Sequence, residues 1–597
     1  MERRRKKRAF RMWFHPLILC VVVTIFIRYD VYHKIMNIET DFPNYYTASR
    51  MMLENRNLSN IYNNREFQKQ ADLYCIENNI VSFVPHTPPS MLFYMPVAFF
   101  QPDTAKKIWT FLNLCFLSGS VLLLFKTFEM RLHHVTFLSL TFVAPVLNNF
   151  MMGQAYLLIL FLISLGLYLW RSDKQLLSGI VLGAATSFKP FPGFLIIPAL
   201  LSKKWKIAIG MIIGFLIPHF VILLISPEIY HPYLNYVLPA TLSGNIQNPF
   251  HIAFRSYSVI LRNLFIADPA RNPTPLLHSP FLFMFLKFLI ALLIIHLFSF
   301  IHILSIRNEK TYSIYSVSFF LAASLLIAPI SSSYQYVLLI PAMLALVKKL
   351  GRYQIPGVIN LHTYYIFSLV RQIPFIELGY MTIFSITSLI AVLKNQQNFM
   401  FKRALVWGIP VVILSLIGSL LLSPGFDKYD NAEYVSELTT TGFPGELKID
   451  GDNIFFTEIM NGNYVIDYNN TIIKLDGYDL FNPTPVTGTD ENPVLICQAY
   501  GNGRENFAKY SLNQNEFIEL REMTDVDYPK FKATQTPDSN DIFFENKQLT
   551  SHPARDYSPA YKSESRPDGT VVKYVYFISE RGGGLNDGRF YRIRIDD

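Results

Sequence analysis

The sequence predicts a polytopic α-helical membrane protein with about 11–13 transmembrane helices, followed by a soluble all-β domain. The first reason is composition: 51% of the 597 residues are hydrophobic, 16% are charged, and the mean hydropathy is +0.25. Such a chain is too apolar for an ordinary soluble protein. The second reason is a change of charge near Gly425. Residues 1–425 contain 36 Lys and Arg against 15 Asp and Glu, whereas residues 426–597 contain 17 against 29. We therefore divide the chain into a membrane region, 1–425, and a β domain, 426–597.

These numbers exclude several classes of protein. The hydrophobic content excludes a disordered chain, and the basic residues lie around apolar stretches, which argues against a nucleic-acid partner. The cysteines Cys20, Cys75, Cys115 and Cys497 are too far apart to indicate a metal site or a disulfide framework, although a Cys75–Cys497 bridge stays open.

The membrane region consists of apolar stretches separated by short basic loops. Some stretches are shorter than the roughly 20 residues of a spanning helix, which indicates tilted pairs or re-entrant segments. They lie near 12–28, 104–125, 135–150, 154–170, 176–188, 190–201, 206–226, 280–304, 312–330, 334–347, 356–371, 374–393 and 403–422.

The distribution of Lys and Arg predicts the topology. Seven basic residues in MERRRKKRAFR precede the first stretch, which places the N-terminus in the cytoplasm by the positive-inside rule. Because successive stretches cross the membrane in opposite directions, the short basic loops then lie inside. Two long segments lie outside: the first loop, 29–103, and the second loop, 227–279. An odd number of crossings makes the β domain extracytoplasmic. We expect a multi-pass protein of the plasma (inner) membrane, with the lipid bilayer as a partner.

The β domain contains alternating and apolar runs separated by turn signals. The runs IFFTEI, NYVIDY, VLICQAY, DIFFEN and YVYFIS are bounded by Asp-Gly, Asn-Gly and Pro-Asp pairs, which is typical of strands. The apolar strand cores recur at spacings of about 30–50 residues, the interval expected of propeller blades; they are Phe455-Phe456, Leu495-Ile496, Phe543-Phe544 and Tyr576-Phe577. The segment from Asp556 to Ile595 resembles a repeat of the TolB-like β-propellers. We expect a partial propeller, with a sandwich as the alternative.

Asp41 is the leading candidate for a catalytic group. Carboxylates are scarce in the membrane region, and Asp41 stands in the first loop, followed by Tyr45, Tyr46 and Arg50 at near-helical spacing. A carboxylate at the outer surface and shielded from bulk water suits a general base. The alternative is structural, because aspartate commonly caps a helix N-terminus.

Lys189, in SFKPFPG, is the second candidate. A lysine between two apolar segments is costly unless it reaches water or an anion, so it is either a phosphate ligand or a snorkelling residue at a broken helix. Arg255, beside His251, is a further candidate for an anionic leaving group.

Amides and hydroxyls cluster at the predicted outer ends of several stretches. Such groups bind sugar hydroxyls or phosphate oxygens, although capping and bonding between helices explain similar clusters. They are Asn148, Asn149, Gln154, Asn245, Gln247, Asn248 and the run Ser331 to Tyr336, which includes Tyr334.

Taken in order, these motifs resemble the polyprenyl-phosphate-dependent glycosyltransferases of the GT-C fold, specifically glycosyltransferase family 87, which includes mannosyltransferases. The resemblance covers most of residues 30–345. It starts with D-F-x-x-Y-Y-x-A at Asp41 to Ala48 and Ile61-Tyr62. Its further elements are Phe83 to Pro89 with Tyr94 and Pro96, Gly153-Gln154, Gly179 to Gly183 leading into Lys189-Pro190, and Ala328 to Ser331.

The resemblance implies a donor sugar carried on polyprenyl phosphate and transferred at the outer leaflet to a lipid or glycan acceptor, with inversion. In such enzymes an aspartate of the first outer loop takes the proton of the acceptor hydroxyl, which assigns Asp41 as the base. Lys189 and Arg255 would stabilise the departing phosphate. Substrate would contact Tyr45, Tyr46, Gln154, Asn245, Gln247, Asn248 and Tyr334. Family members often carry tryptophan and histidine where this chain has Ser332 to Tyr336.

Two other functions stay open on the sequence alone. One is a non-enzymatic flippase or transporter of a lipid-linked sugar, which predicts internal repeats and charges along a path through the membrane. The other is a membrane-anchored scaffold whose β domain binds glycan or protein. The sequence contains no Walker A or Rossmann motif, and the spacing of its Cys, His and Asp residues indicates no metal site; any metal requirement is unknown.

Overall fold

The computed structural model describes residues 35–350, 401–422 and 433–595, apart from short gaps. The gaps are 39–40, 77–78, 141, 247, 252–255, 270, 309–312, 439, 441–443, 487–492, 525–526, 528–541, 545–546, 551–554, 566–569, 582–584 and 586. The predicted membrane stretches 12–28, 356–371 and 374–393 lie outside the described residues, as do Gln247 and Arg255.

The described part of the membrane region is helical. The first loop contains α1 (Phe42–Leu53), α2 (Asn64–Leu73) and α3 (Ser90–Ala98). Next come α4 (Pro102–Phe128), α5 (Leu132–Leu140), α6 (Val143–Met152), α7 (Tyr156–Arg171), α8 (Gln175–Phe188), α9 (Ile196–Leu201) and α10 (Trp205–Ile225). The second loop contains α11 (Tyr230–Pro232), α12 (Leu238–Ser243) and α13 (Tyr257–Phe265), and it is followed by α14 (Pro280–Asn308), α15 (Ser313–Ile327), α16 (Ile340–Leu350) and α17 (Phe401–Leu422).

Within the described residues, three helices are long and apolar enough to cross a membrane. They are α4, α10 and residues 280–306 of α14. The pair α5 and α6, bent by 68°, makes a fourth if it counts as one broken span. Several other predicted stretches form apolar helices of 10–17 residues, among them α7, α8 and α15. The structure therefore gives a membrane-capable helical region and does not establish the predicted number of spans.

Glycines allow α8 and α10 to pack with their backbones in close contact. A Cβ on Gly179 would lie 2.2 Å from the carbonyl oxygen of Ile207, and one on Gly183 would lie 2.1 Å from that of Met211. Small residues spaced in this way let apolar helices approach closely. The contact holds the end of α8, and with it Lys189, in a fixed place.

The β domain consists of antiparallel sheets, in agreement with the predicted all-β class. Its strands are β1 (Glu433–Tyr434), β2 (Gly445–Asp450), β3 (Asn453–Met460), β4 (Asn463–Tyr468), β5 (Thr471–Ile473), β6 (Asp479–Val486), β7 (Val494–Gly501), β8 (Arg504–Ser511), β9 (Glu516–Glu522), β10 (Phe543–Phe544), β11 (Lys547–Gln548), β12 (Asp556–Ser565), β13 (Val571–Ser579) and β14 (Arg589–Ile595).

The strands pair mainly with their neighbours in sequence. The sheets have the orders β2-β3-β4-β5, β6-β7-β8-β9, β1-β14-β13-β12 and β10-β11. Each predicted strand run lies on an observed strand, whereas the partial propeller is not confirmed. The cysteines in the described region, Cys75, Cys115 and Cys497, are free, so the possible Cys75–Cys497 bridge is absent.

The β domain contacts both long loops of the membrane region. Arg65 of α2 lies 3.8 Å from Glu446, and Lys69 lies over the ring of Phe481 at 5.3 Å. In the second loop, Ile246 forms a parallel β-bridge with Leu585. The β domain therefore lies against the loop that contains Asp41 and also against the second loop.

Candidate active site at Asp41

Asp41 precedes α1 but does not act as its cap through the side chain. The residue occupies the N-cap position with φ −94° and ψ −21°, and in the described structure its side chain makes no capping hydrogen bond. Its Oδ2 instead accepts a hydrogen bond of 2.6 Å from Nε2 of Gln154. The side chain keeps intermediate exposure while the next eight residues are buried. Asp41 is thus a partly exposed residue whose carboxylate is held by an amide from a distant segment.

The turn after α6 brings Gln154 to Asp41. Gly153 ends α6 in the left-handed conformation, with φ +61°. A Cβ there would lie 2.6 Å from Cβ of Phe42, so glycine is required for the close approach. The carbonyl of Gly153 accepts hydrogen bonds from Oη of Tyr94 at 2.9 Å and Nε1 of Trp109 at 3.0 Å. These bonds fix the backbone that positions Gln154.

Aromatic rings pack along one side of the carboxylate. The ring of Tyr45 stacks on Tyr94 at 4.4 Å and on His86 at 4.3 Å. Oη of Tyr45 donates a hydrogen bond of 3.1 Å to Oε1 of Gln154. The amide of Gln154 therefore has a phenol at one end and Asp41 at the other, which determines its orientation.

Lys189 is buried, with 8% of its surface exposed, and it follows the last residue of α8. Its Nζ donates to Nδ1 of His86 at 2.9 Å and lies 5.6 Å from the centre of the Tyr45 ring. The carbonyl of His86 accepts a hydrogen bond of 2.9 Å from Tyr62. The first loop thus supplies both the carboxylate and the acceptor that holds this lysine.

Burial and charge act in opposite directions on Asp41. Burial raises the pKa of the Asp41 carboxyl above its ordinary value, while the hydrogen bond from Gln154 and then the charges of Lys189 and Lys106 lower it. Burial, followed by the charge of Lys189, lowers the pKa of His86 well below its ordinary value. At neutral pH the His86 imidazole is therefore uncharged, as an acceptor from an ammonium group must be.

Tyr334 approaches the site from the segment before α16. Its ring lies 5.4 Å from that of Tyr156, and its phenol is within electrostatic range of Asp41. The backbone carbonyl of Tyr334 accepts a hydrogen bond of 2.9 Å from Nδ2 of Asn149, and Nδ2 of Asn148 donates to Ser333 at 2.7 Å. The two asparagines therefore fix this segment next to α6.

Other predicted residues make hydrogen bonds outside the network of Asp41, Gln154 and Lys189. Oη of Tyr46 donates to the carbonyl of Phe100 at 2.8 Å, which gives it a structural partner outside the Gln154 and Lys189 contacts. Oδ1 of Asn248 accepts from the backbone N–H of Phe250 at 3.0 Å, as in a turn. The carbonyl of Asn245 accepts from the backbone N–H of Leu585 at 3.2 Å.

Sequence reasoning missed three residues of this site: His86, which contacts Lys189, and Lys106 and Tyr156, which are within electrostatic range of Asp41. Lys106 is fully buried and donates to the carbonyls of Phe150 and Met151 at the end of α6. A lysine at the start of an apolar helix was a usable signal, because a buried ammonium requires acceptors. No comparable signal marks His86 or Tyr156 in the sequence.

The described residues show no cluster of side chains that could bind a metal ion. Across the described ranges, no group of three or more His, Cys, Asp or Glu side chains is arranged to hold an ion. The chemistry available at the site is that of one carboxylate, nearby lysines, an amide and phenols.

The fold and the site define a membrane-capable helical protein in which a half-buried carboxylate lies near a buried lysine. Residues 83–329 match the model of glycosyltransferase family 87. The matched range includes Gln154, Lys189 and His86, while Asp41 precedes it. The match supports a glycosyltransferase. Comparisons with the curated proteins and with the solved structures gave no match.

Proposed function

We propose that this protein is an integral membrane glycosyltransferase that moves a sugar from a polyprenyl-phosphate donor to a lipid, glycan or cell-envelope acceptor at the outer face of the membrane. The observation that carries the proposal is the placement of Asp41. Its carboxylate is oriented by Gln154 and has Lys189 within electrostatic range, and the residue as a whole keeps intermediate exposure. A single general base beside an anion-binding cation is what transfer from a lipid phosphate requires.

In the proposed reaction, the acceptor hydroxyl attacks the anomeric carbon of the donor sugar. Asp41 takes the hydroxyl proton as the new C–O bond forms. The bond between the anomeric carbon and the phosphate oxygen breaks, and its electron pair leaves with the polyprenyl phosphate. Direct displacement inverts the anomeric configuration. Lys189 stabilises the phosphate oxygens, while Gln154 and Tyr45 hold Asp41 in its orientation.

The test is transfer of radiolabelled sugar from polyprenyl-phosphate donors in membranes that contain the full chain or a variant. Asp41→Asn keeps the shape of the side chain and removes the base, so turnover should fall by about 10²–10⁴-fold. Asp103→Asn is the matched control, because Asp103 also lies at the start of a helix with a proline in its first turn but is exposed. Its activity should equal that of the wild type.

Each outcome is decisive for one part of the proposal. Loss of transfer only in a folded Asp41→Asn variant supports the base assignment. Equal transfer by all three proteins rules out Asp41 as the base. Failure of the wild type with every polyprenyl-phosphate sugar, and inward or outward movement of those lipids instead, would favour the flippase alternative.

A further inference from the structure

A polar pocket lies between the segment that follows α1 and the end of α10. Its volume is about 450 Å³, within the range of about 300–1,000 Å³ that is usual for small-molecule sites. One wall belongs to the first loop, and the other wall leads into the second loop. The lining residues are Asn55, Arg56, Asn57, Ser59, Ile225, Ser226 and Glu228.

Several polar side chains of this pocket are unpartnered. Those of Asn55, Ser226 and Glu228 make no hydrogen bond or ion pair with any residue that the structure describes. Ser226 is only 7% exposed, so its hydroxyl belongs to a largely buried residue. Buried polar groups are nearly always hydrogen-bonded. The free hydroxyl of Ser226 therefore points to a molecule that occupies the pocket.

The walls of the pocket are held in place by the surrounding fold. Oδ1 of Asn57 accepts a hydrogen bond of 2.8 Å from the backbone N–H of Ser59, and Leu58 between them is fully buried. The ring of Tyr62 in the first loop lies 6.1 Å from that of Tyr233 in the second loop. The lining groups are thus positioned before a ligand binds, which reduces the cost of binding.

The lining combines donors and acceptors and has little apolar surface. Arg56 provides a guanidinium group and Glu228 a carboxylate, so the lining itself favours neither an anion nor a cation. In the described structure Arg56 contacts Glu54 through Nε, at 3.4 Å, which leaves its terminal nitrogens to a ligand. Of the lining residues, Ile225 alone is apolar. A neutral ligand rich in hydroxyl groups matches this set, because each hydroxyl both donates and accepts.

The pocket is remote from Asp41. Asp41 and Asn55 lie beyond opposite ends of α1, whose 12 residues span about 18 Å at a rise of about 1.5 Å per residue. A sugar in the pocket is therefore not the one that reacts. A glycan of several sugar units is long enough to reach both places.

We propose that this pocket binds a saccharide unit of the acceptor glycan, away from the unit that receives the new sugar. The hydroxyls of the bound unit contact the side chains of Asn55, Ser226 and Glu228. Saccharide binding itself is independent of the proposed function, whereas the acceptor role rests on it.

The experiment measures the Kd of neutral disaccharides for the purified full chain by saturation-transfer NMR. The probes are mannobiose and maltose, with glycerol as a polyol that lacks a sugar ring. The detergent has no sugar headgroup, because a maltoside would compete for the pocket. Glu228→Ala removes a charged acceptor from an exposed side chain, so it should raise the Kd about tenfold and leave folding intact. Ser226→Ala removes one hydroxyl and should raise the Kd about 2–10-fold.

Glu437→Ala is the matched control, since Glu437 is also exposed and forms no ion pair within the described residues. It should bind as the wild type does, and so should Asp41→Asn. Binding of either disaccharide, weakened by Glu228→Ala or Ser226→Ala but by neither of the other two variants, supports the proposal. It is overturned if neither disaccharide binds more tightly than glycerol, or if neither pocket variant changes the Kd.

The acceptor role has its own readout. Added disaccharide should inhibit transfer of labelled sugar in membranes with the wild type, and should inhibit it less in membranes with Glu228→Ala. Saccharide binding without such inhibition rejects the acceptor role and leaves a binding site. Binding by a chain that shows no transfer counts against the proposed function alone, whereas transfer by a chain that binds no disaccharide counts against the pocket alone.

Discussion

The side-chain amide of Gln154 donates a hydrogen bond of 2.6 Å to the carboxylate of Asp41, which lies 113 residues earlier in the chain. The other end of the same amide accepts a hydrogen bond from Tyr45. Gln154 follows the left-handed Gly153, whose carbonyl is held by Tyr94 and Trp109. The orientation of the proposed base is therefore set by a rigid turn that belongs to a different part of the fold.

Replacing Gln154 should reduce turnover more than it weakens substrate binding. Gln154→Leu keeps the approximate volume but removes the bond that orients Asp41. We expect kcat to fall by about 10–100-fold, because small misplacement of a catalytic group has effects of this size. Tyr45→Phe, which keeps the ring and removes only the phenol, should lower kcat less. Steady-state kinetics with the labelled donor measure both variants.

Gln68→Leu is the matched control for Gln154→Leu. Gln68 is also buried and its amide also donates to a carboxylate, that of Asp72, at 2.9 Å. The control should lower thermal stability and leave kcat per folded molecule unchanged. Equal losses of kcat in both variants would show that Gln154 acts only through stability.

The pH dependence of activity should report on Asp41. A base acts in its ionised form, so kcat/KM falls as pH falls through the pKa of Asp41, which burial places above 3.8. Lys189→Met removes a charge that lowers this pKa, so the acidic limb of the profile should move to higher pH. Lys203→Met, at an exposed position, should leave the limb in place. A limb unmoved by Lys189→Met contradicts the proposed electrostatic coupling.

Much of the architecture could be predicted from the sequence because the signals are local. The apolar stretches and the strand runs follow from periodicity and turn residues, and each strand run lies on an observed strand. The length of the helices was harder to predict. Pro190 and the turn at Gly153 divide apolar sequence into pieces too short to span a membrane alone.

The site was only partly predictable because its contacts join distant segments. Asp41, Gln154 and Lys189 were candidates from composition and motif, yet nothing local shows that Gln154 bonds to Asp41. His86 was missed because its role depends on a contact with Lys189, 103 residues away. Asn248 is a predicted substrate contact, and the structure gives its side chain a local turn bond to the backbone N–H of Phe250.

Removing the hydrogen-bond acceptor that His86 provides for Lys189 should weaken binding of the polyprenyl-phosphate sugar donor. His86→Phe keeps a ring to stack on Tyr45 but removes the nitrogen that receives the hydrogen bond of Lys189. The lysine then loses its fixed position, and we expect KM for the polyprenyl-phosphate donor to rise about tenfold with a smaller change in kcat. His133→Phe, away from these contacts, is the control. An unchanged KM in His86→Phe would mean that His86 does not position Lys189 for the donor.

Docking of the β domain should depend on Arg65. In the pair with Glu446, the side chains of Arg65 and Glu446 are only 19% and 12% exposed, and Arg65 also lies over Tyr557. Arg65→Ala leaves a largely buried carboxylate without its cation, which typically costs about 3–5 kcal/mol. We expect faster proteolysis between the membrane region and the β domain. Arg56→Ala, which breaks an exposed pair with Glu54, should be neutral. Equal proteolysis rates in both variants would mean that other contacts hold the domain.

Close packing of α8 and α10 should tolerate no side chain at Gly183. An added Cβ would lie 2.1 Å from the carbonyl oxygen of Met211, a backbone atom that moves only with its helix. Gly183→Ala should therefore separate the helices, lower the stability by about 1–3 kcal/mol, and displace Lys189 enough to reduce transfer. At Gly193 the nearest atom is a side-chain methyl of Thr186 at 3.0 Å, which can rotate away. Thermal unfolding in detergent should thus distinguish Gly183→Ala from a near-neutral Gly193→Ala, and equal melting of the two variants would contradict the packing described for this helix pair.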